Sequence, residues 1–336
     1  MRRLLLGFSA LAVALPSGGG ATTASHAVVA TFAAAPGHRI AGFGFDRDWL
    51  TLAQDPDSSS GCPLVRLVRA TGDDASTLTR PGGPTCRLGG RFWVRPGDRA
   101  IGVAIVKALW VVQRGATAIA VKASPAEPEV VLARAKGIDA DRGPFLGPVV
   151  ATNWLRLFAE YTRAADGTLT GQVVSGNRKT KWSETGPVLP LGLDDKEHAV
   201  TVGADGAIAM WHAHGARYGR VQDAHAQAAA LDSGRVIVLR SDRPCIDVRA
   251  LSGRRIASWP ISSEAAPLLD ADGDTVVYVA GRSVHQLDLG FGSDRIVATV
   301  PRGSELLDAQ IEGDLVAYAY RGGSAPAGRV VVIRRS

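Results

Sequence analysis

The sequence predicts an all-β fold built from a unit of about forty residues repeated along the chain. Three observations predict it. The C-terminal third holds three successive units of one plan, each a small-residue segment followed by three β-rich runs. Gly, Asp and Ser turns separate those runs, and short strands parted by turn signals at this spacing are the signature of a repeated β architecture. The composition, 46% hydrophobic and 21% charged, is that of an ordinary globular chain with a large core.

The elements follow in order. Arg2 and Arg3 precede an apolar run from Leu4 to Leu15, and Pro16 opens a stretch of small residues. A charged start, about a dozen apolar residues and a small-residue exit describe a secretory signal peptide. The run is shorter than the roughly 20 residues of a membrane helix, and no later stretch reaches that length. The small-x-small rule fits Ser25-His26-Ala27, Thr22-Thr23-Ala24 and Gly19-Gly20-Ala21 alike. The chain is thus divided into an export segment at 1–27 and one domain at 28–336. Removing the segment takes two Arg from a net charge of +6, leaving 6 − 2 = +4. With 38 basic against 32 acidic residues, that charge is too small for a nucleic-acid footprint.

Units start near 39, 99, 145, 187, 227, 265 and 304, and the later intervals settle at 38 to 40 residues. The clearest unit runs from Pro267 through Thr275–Ala280 and Ser283–Leu289 to Arg295–Val300. The next passes through Leu315–Tyr320 and ends at Arg329–Arg334; the one before holds Arg235–Leu239, Cys245–Leu251 and Arg255–Pro260. Seven units are expected, with six or eight as alternatives because the early units are diverged. The last unit stops after its third strand, while the stretch 28–34 has no unit of its own. Pairing of Val28–Phe32 as the missing strand would close a ring by joining first and last units through one sheet.

A four-strand period of this length is what a propeller blade requires. The chain resembles β-propellers, similar in style to the WD-repeat, TolB-like and YVTN-type families. Asp272-Gly273-Asp274 echoes the TolB-like turn, and Tyr278-Val279 with Val284–Asp288 the YVTN style; the Gly-His and Trp-Asp pairs of WD repeats are missing. The resemblance implies a single propeller domain and, since propellers host many activities, no particular function.

Three cysteines exclude a disulfide-dense scaffold. In an exported chain Cys62 and Cys86 are expected to pair, enclosing 86 − 62 − 1 = 23 residues, a crosslink worth roughly 3 kcal/mol in chain entropy. Cys245, at the start of a strand, reads as a buried free thiol. His198, His212 and His214 form the one metal-capable constellation. With Ala204-Asp205-Gly206 as a three-residue hairpin loop, His198 faces His212 and alternation puts His214 on the same face, a set suited to zinc or copper. A two-residue loop would instead oppose His212 to Glu197. The same face carries Val200, Val202, Ile208 and Met210, which also fits an inter-sheet surface with a polar end.

Asp55-Pro-Asp57, Asp139-Ala-Asp141, Asp194-Asp195 and Asp270–Asp274 read as turns, not as calcium loops, which need a longer alternation and a terminal Glu. Trp49, Trp110 and Trp154 recur near the start of the second strand and read as packing between units. No nucleophile elbow, zinc-protease helix motif, phosphate loop or glycine-rich nucleotide fingerprint occurs, so no catalytic or cofactor residue is assigned. The expectation is a secreted binding module for a protein, glycan or small molecule. The alternative is a secreted hydrolase or lyase with its site in the central channel, with or without a metal.

Overall fold

The computed structural model describes residues 26–58, 61–72, 196, 198–203, 205–212 and 217–335 with their side chains, and between 75 and 193 the backbone of the strands. Residues 1–25 of the expected export segment 1–27, Trp154 and His214 lie outside the described residues, as do the side chains of Cys86 and Trp110.

Every described element is a strand, and among the described residues seven sheets have four strands each, six of them in simple meander order. Sheet I comprises His38–Asp46, Trp49–Pro56, Leu64–Arg69 and Ala75–Thr77. Sheet II comprises Arg99–Ala104, Leu109–Arg114, Thr117–Ser124 and Glu127–Lys136; sheet III comprises Phe145–Ala151, Arg156–Arg163, Leu169–Ser175 and Lys181–Ser183. Sheet IV has Leu189–Leu193, His198–Val202, Ile208–His212 and Arg217–Val221; sheet V has Ala226–Asp232, Arg235–Arg240, Cys245–Ala250 and Arg255–Pro260. Sheet VI has Ala265–Asp272, Thr275–Ala280, Ser283–Asp288 and Asp294–Thr299. Sheet VII is built from both chain ends: Ser304–Glu312, Leu315–Gly322 and Ala325–Arg334, with Val28–Ala33 added antiparallel so that Val28 faces Ile333 and Ala33 faces Arg329. The long insert after sheet I forms a small sheet of its own, Thr79–Gly82, Thr85–Leu88 and Trp93–Val94.

The residues explain the hairpins. Asp232-Ser233-Gly234-Arg235 turns in two residues, with Ser233 at φ 50° and Gly234 at φ 74°, the left-handed pair that matches strand twist. Second strands such as Thr275–Ala280 and Arg235–Arg240 are continuous apolar runs because both their faces are covered, one by the preceding sheet and one by the next. Four apolar clusters fill the spaces IV/V, V/VI, VI/VII and VII/I. Val277 and Val279 pack with Ile311, Val316 and Tyr318 between VI and VII; Phe32, Phe43 and Leu52 pack with Val330 and Val332 between VII and I. The first strands of successive sheets touch one another in turn from I to VII, and that of VII touches that of I.

Candidate functional site

The first strands approach each other without backbone pairing, so their side chains make the connections. The Asp270 carboxylate of sheet VI accepts the Ile311 N–H of sheet VII at 2.8 Å, and Asp272 accepts the Gly313 N–H at 2.6 Å. Gln310 of sheet VII repeats the device toward sheet I. Its Oε1 accepts the Phe45 N–H at 2.7 Å, and its Nε2 donates to Phe43 O at 3.2 Å and to Asp308 Oδ2 at 2.8 Å. Asp270 and Gln310 stand two residues before the ends of their strands, and Ile311 and Phe45 one residue before the ends of theirs. The same stitch therefore occurs on both flanks of sheet VII. The equivalent positions in sheets V and I are Ala230 and Gly44, which cannot make it.

These stitches lie in a concentration of acid. Asp46, Asp232, Asp272 and Glu312 each end a first strand, and Asp270 and Asp308 lie further in. Burial pushes the Asp270 carboxyl up to about 7, against the pull of the Ile311 and Ala271 N–H groups; the charges of Asp308 and Asp272 add to the rise. Burial raises Asp308 to about 6, and Glu312 to about 7 with help from Asp46 and Asp272. Asp232 is raised as well, again chiefly by burial. Such a row can hold protons near neutral pH or draw in a positively charged group. Among the described residues no three His, Cys, Asp or Glu side chains are arranged to hold a metal ion.

The second notable place is a hairpin apex. Phe291, between Gly290 and Gly292, is 87% exposed, the most exposed large apolar residue described. Its backbone is nevertheless fixed. Asp288 Oδ1 accepts the N–H groups of Gly290 at 2.8 Å and Phe291 at 3.1 Å, and the Asp288 carbonyl accepts that of Gly292. Gly292, at φ 67°, lies so close to the Trp259 ring of sheet V that a Cβ would stand 2.4 Å from it. Only glycine fits there.

The predicted residues are placed as follows. His198 faces His212, and Gly206 takes φ 74° in a three-residue loop, the register expected from Ala204-Asp205-Gly206. Tyr218 packs edge-on against both imidazoles, at 5.5 and 6.2 Å, so an aromatic cluster ends the apolar face of Val200, Val202, Ile208 and Met210. His214, the third proposed ligand, lies outside the described residues. Cys245 is a buried free thiol. Trp49 is half-buried under the Arg69 guanidinium, 4.6 Å from its ring. The carboxylate row is hidden in the sequence because Asp270-Ala-Asp-Gly-Asp274 reads as turn chemistry, whereas Asp270 lies within a strand. The recurrence of Leu-Asp at 231–232, 269–270 and 307–308, at a constant interval, was the available signal.

A further polar group fixes sheet V against sheet VI. Tyr278 donates to Asp294 Oδ2 at 2.5 Å and accepts the Ser262 N–H at 3.3 Å, with His285 Nδ1 3.2 Å from both the phenol and the carboxylate. Burial and the bond to Asp294 together raise the phenol well above its ordinary value, so it stays a donor. Ser262 lies in the link between the two sheets, so this network is a structural clasp.

Comparison with known proteins was informative at the level of fold. No protein-family model matches the chain, and no curated protein matches it. Among solved structures, a chain of the mitotic checkpoint complex superposes with a TM-score of 0.58 at 10% identity, covering 99% of this chain and 98% of that one. The AfRom2 CNH domain gives 0.52 at 10% identity, covering 92% and 99%. BamB from Moraxella catarrhalis gives 0.52 at 13% identity, covering 91% and 97%. The fold is a β-propeller. At these identities the likeness extends to the propeller superfold and to no particular subfamily.

Proposed function

We propose that the protein is an exported seven-bladed propeller, closed by its N-terminal strand, that serves as a binding module for a protein partner. The seven four-stranded sheets, the contact of first strands from I round to VII and back to I, and the pairing of Val28–Ala33 with Ala325–Arg334 support the ring. The Arg2-Arg3 start and the apolar run after it support export. A Cys62–Cys86 crosslink belongs to the same reading, supported by the bonded state of Cys62 and the oxidising compartment that export implies.

The observation that carries binding is Phe291. An aromatic side chain left in water costs solvation, yet the turn beneath it is held by Asp288 and seated on Trp259. A rigid, exposed aromatic is what an interface anchor needs, because little entropy remains to be lost on docking. That one neighbour was solved within the mitotic checkpoint complex is in keeping with a module of assemblies. A photo-crosslinking residue at position 291, compared with one at Ser252 in the corresponding turn of sheet V, tests this in the producing cell. A discrete adduct from 291 alone is expected; identical behaviour at both positions would count against it.

The enzyme reading keeps one specific support, the carboxylates Asp270, Asp308 and Glu312 held partly protonated near neutral pH. A protonated and an ionised carboxyl side by side can donate and accept a proton in a hydrolase or lyase. Activity toward a hydrolase or lyase substrate panel that disappears in Asp308→Asn would move the assignment to that reading.

A further inference from the structure

The hydrogen bonding that completes sheet VII extends beyond the strand Val28–Ala33. The backbone ladder continues outward: Arg334 donates its N–H to the Ala27 carbonyl at 3.0 Å, and His26 Nδ1 lies 3.3 Å from the Arg334 carbonyl. His26 is half-buried; its polar contact is the one through Nδ1, and its Nε2 is covered with no hydrogen-bond partner among the described residues. At the other end Ala34 N–H reaches Gly328 O, so the paired segment runs from His26 to Ala34. Sequence leaves three places for a signal peptidase to cut, after Ala27, Ala24 or Ala21.

We infer that export processing occurs upstream of His26, after Ala24 or Ala21, and that His26 and Ala27 are retained as part of the mature ring. This rests on the export reading above. A cut after Ala27 would remove the acceptor of the Arg334 N–H and the imidazole that covers the strand end. It would also leave an ammonium on Val28, opposite Ile333 and beside Arg334, whose guanidinium is paired with Asp314. A cut after Ala24 leaves Ser25 first and keeps the whole ladder, with the new charge outside it.

Intact mass and N-terminal sequencing of the exported chain, made from the full-length gene, decide the matter. A start at Ser25 or Thr22 is expected. A start at Val28 would overturn the inference while leaving export intact. A chain still carrying Met1 and held in the cytoplasm would overturn export itself, and the inference with it. Amide exchange supplies a second readout on refolded chains beginning at Ser25 and at Val28. The Arg334 amide should exchange at least tenfold more slowly in the first; equal rates would remove the physical basis of the proposal.

Discussion

The two flanks of sheet VII are stitched by the same geometry and different chemistry. Toward sheet VI the acceptor is a carboxylate, Asp270; toward sheet I it is an amide, Gln310. A buried carboxylate without a cation is costly when ionised, so the acceptor of the first stitch titrates and that of the second does not; the second meets a titrating group only through the Gln310 bond to Asp308. Sheet V supplies the counter-case. Asp247 has no exposed surface, and burial alone would raise it, yet bonds from Ser258, Arg240 and Arg249 hold it below the usual carboxylate range. Whether a buried acid keeps or loses its proton is thus decided by its neighbours and not by depth.

The largest expected effect tests the ring that both flanks serve. Deleting residues 26–33 exposes the Ala325–Arg334 edge and uncovers Val330 and Val332, and should abolish cooperative unfolding by circular dichroism. Trimming residues 1–24 should leave the melt unchanged. Asp247→Ala comes next. Arg249 loses its carboxylate partner and Arg240 keeps only Asp242, and about 3 kcal/mol should vanish from urea-derived stability. The wild-type Asp247 contribution is present above about pH 4 and is lost as pH falls through its lowered folded value, so its deficit should narrow in acid.

Asp270→Asn separates the flanks directly. The folded value near 7 lies above the ordinary 3.8, so wild-type stabilisation by protonation is complete below about pH 4 and is lost as pH rises through 7. The amide can still accept the Ile311 N–H. The variant should therefore be more stable than wild type at pH 8, by roughly 2–4 kcal/mol, with the gain shrinking steadily toward pH 4. Gln310→Ala removes three bonds and orphans the Phe45 N–H, an expected loss of about 1–3 kcal/mol that grows as pH rises through about 6, where the Asp308 carboxylate bonded by Gln310 ionises. Gln310→Glu should bring the acid dependence of the VI/VII flank to the VII/I flank. Phe291→Ala is the smallest in stability, within about 0.5 kcal/mol because the ring touches mostly water, and its effect should appear in partner capture.

How much of this was legible depended on how local the cause was. The repeat, the hairpin register of His198 against His212 and the burial of Cys245 follow from alternation and turn residues within a few positions of one another. The first strand's partner was legible only by elimination, as the one β-rich stretch without a unit. The stitches were not seen. Asp270 meets Ile311, 41 residues on, and Gln310 meets Phe45, 265 residues back, and nothing in a single segment reports such neighbours. Phe291 was passed over because Gly-Phe-Gly reads simply as a turn; its significance comes from Trp259, a strand of another sheet.

The antiparallel union of the outermost strand with Ala325–Arg334 has a topological consequence. It brings the start and the finish of the domain to one spot, with Ala27 within hydrogen-bonding distance of Arg334. A short peptide tether could weld them, and a new opening could be made at an exposed turn elsewhere in the chain. In the proposed ring the two joined strands carry the closure, so the break in the backbone is free to sit at another turn.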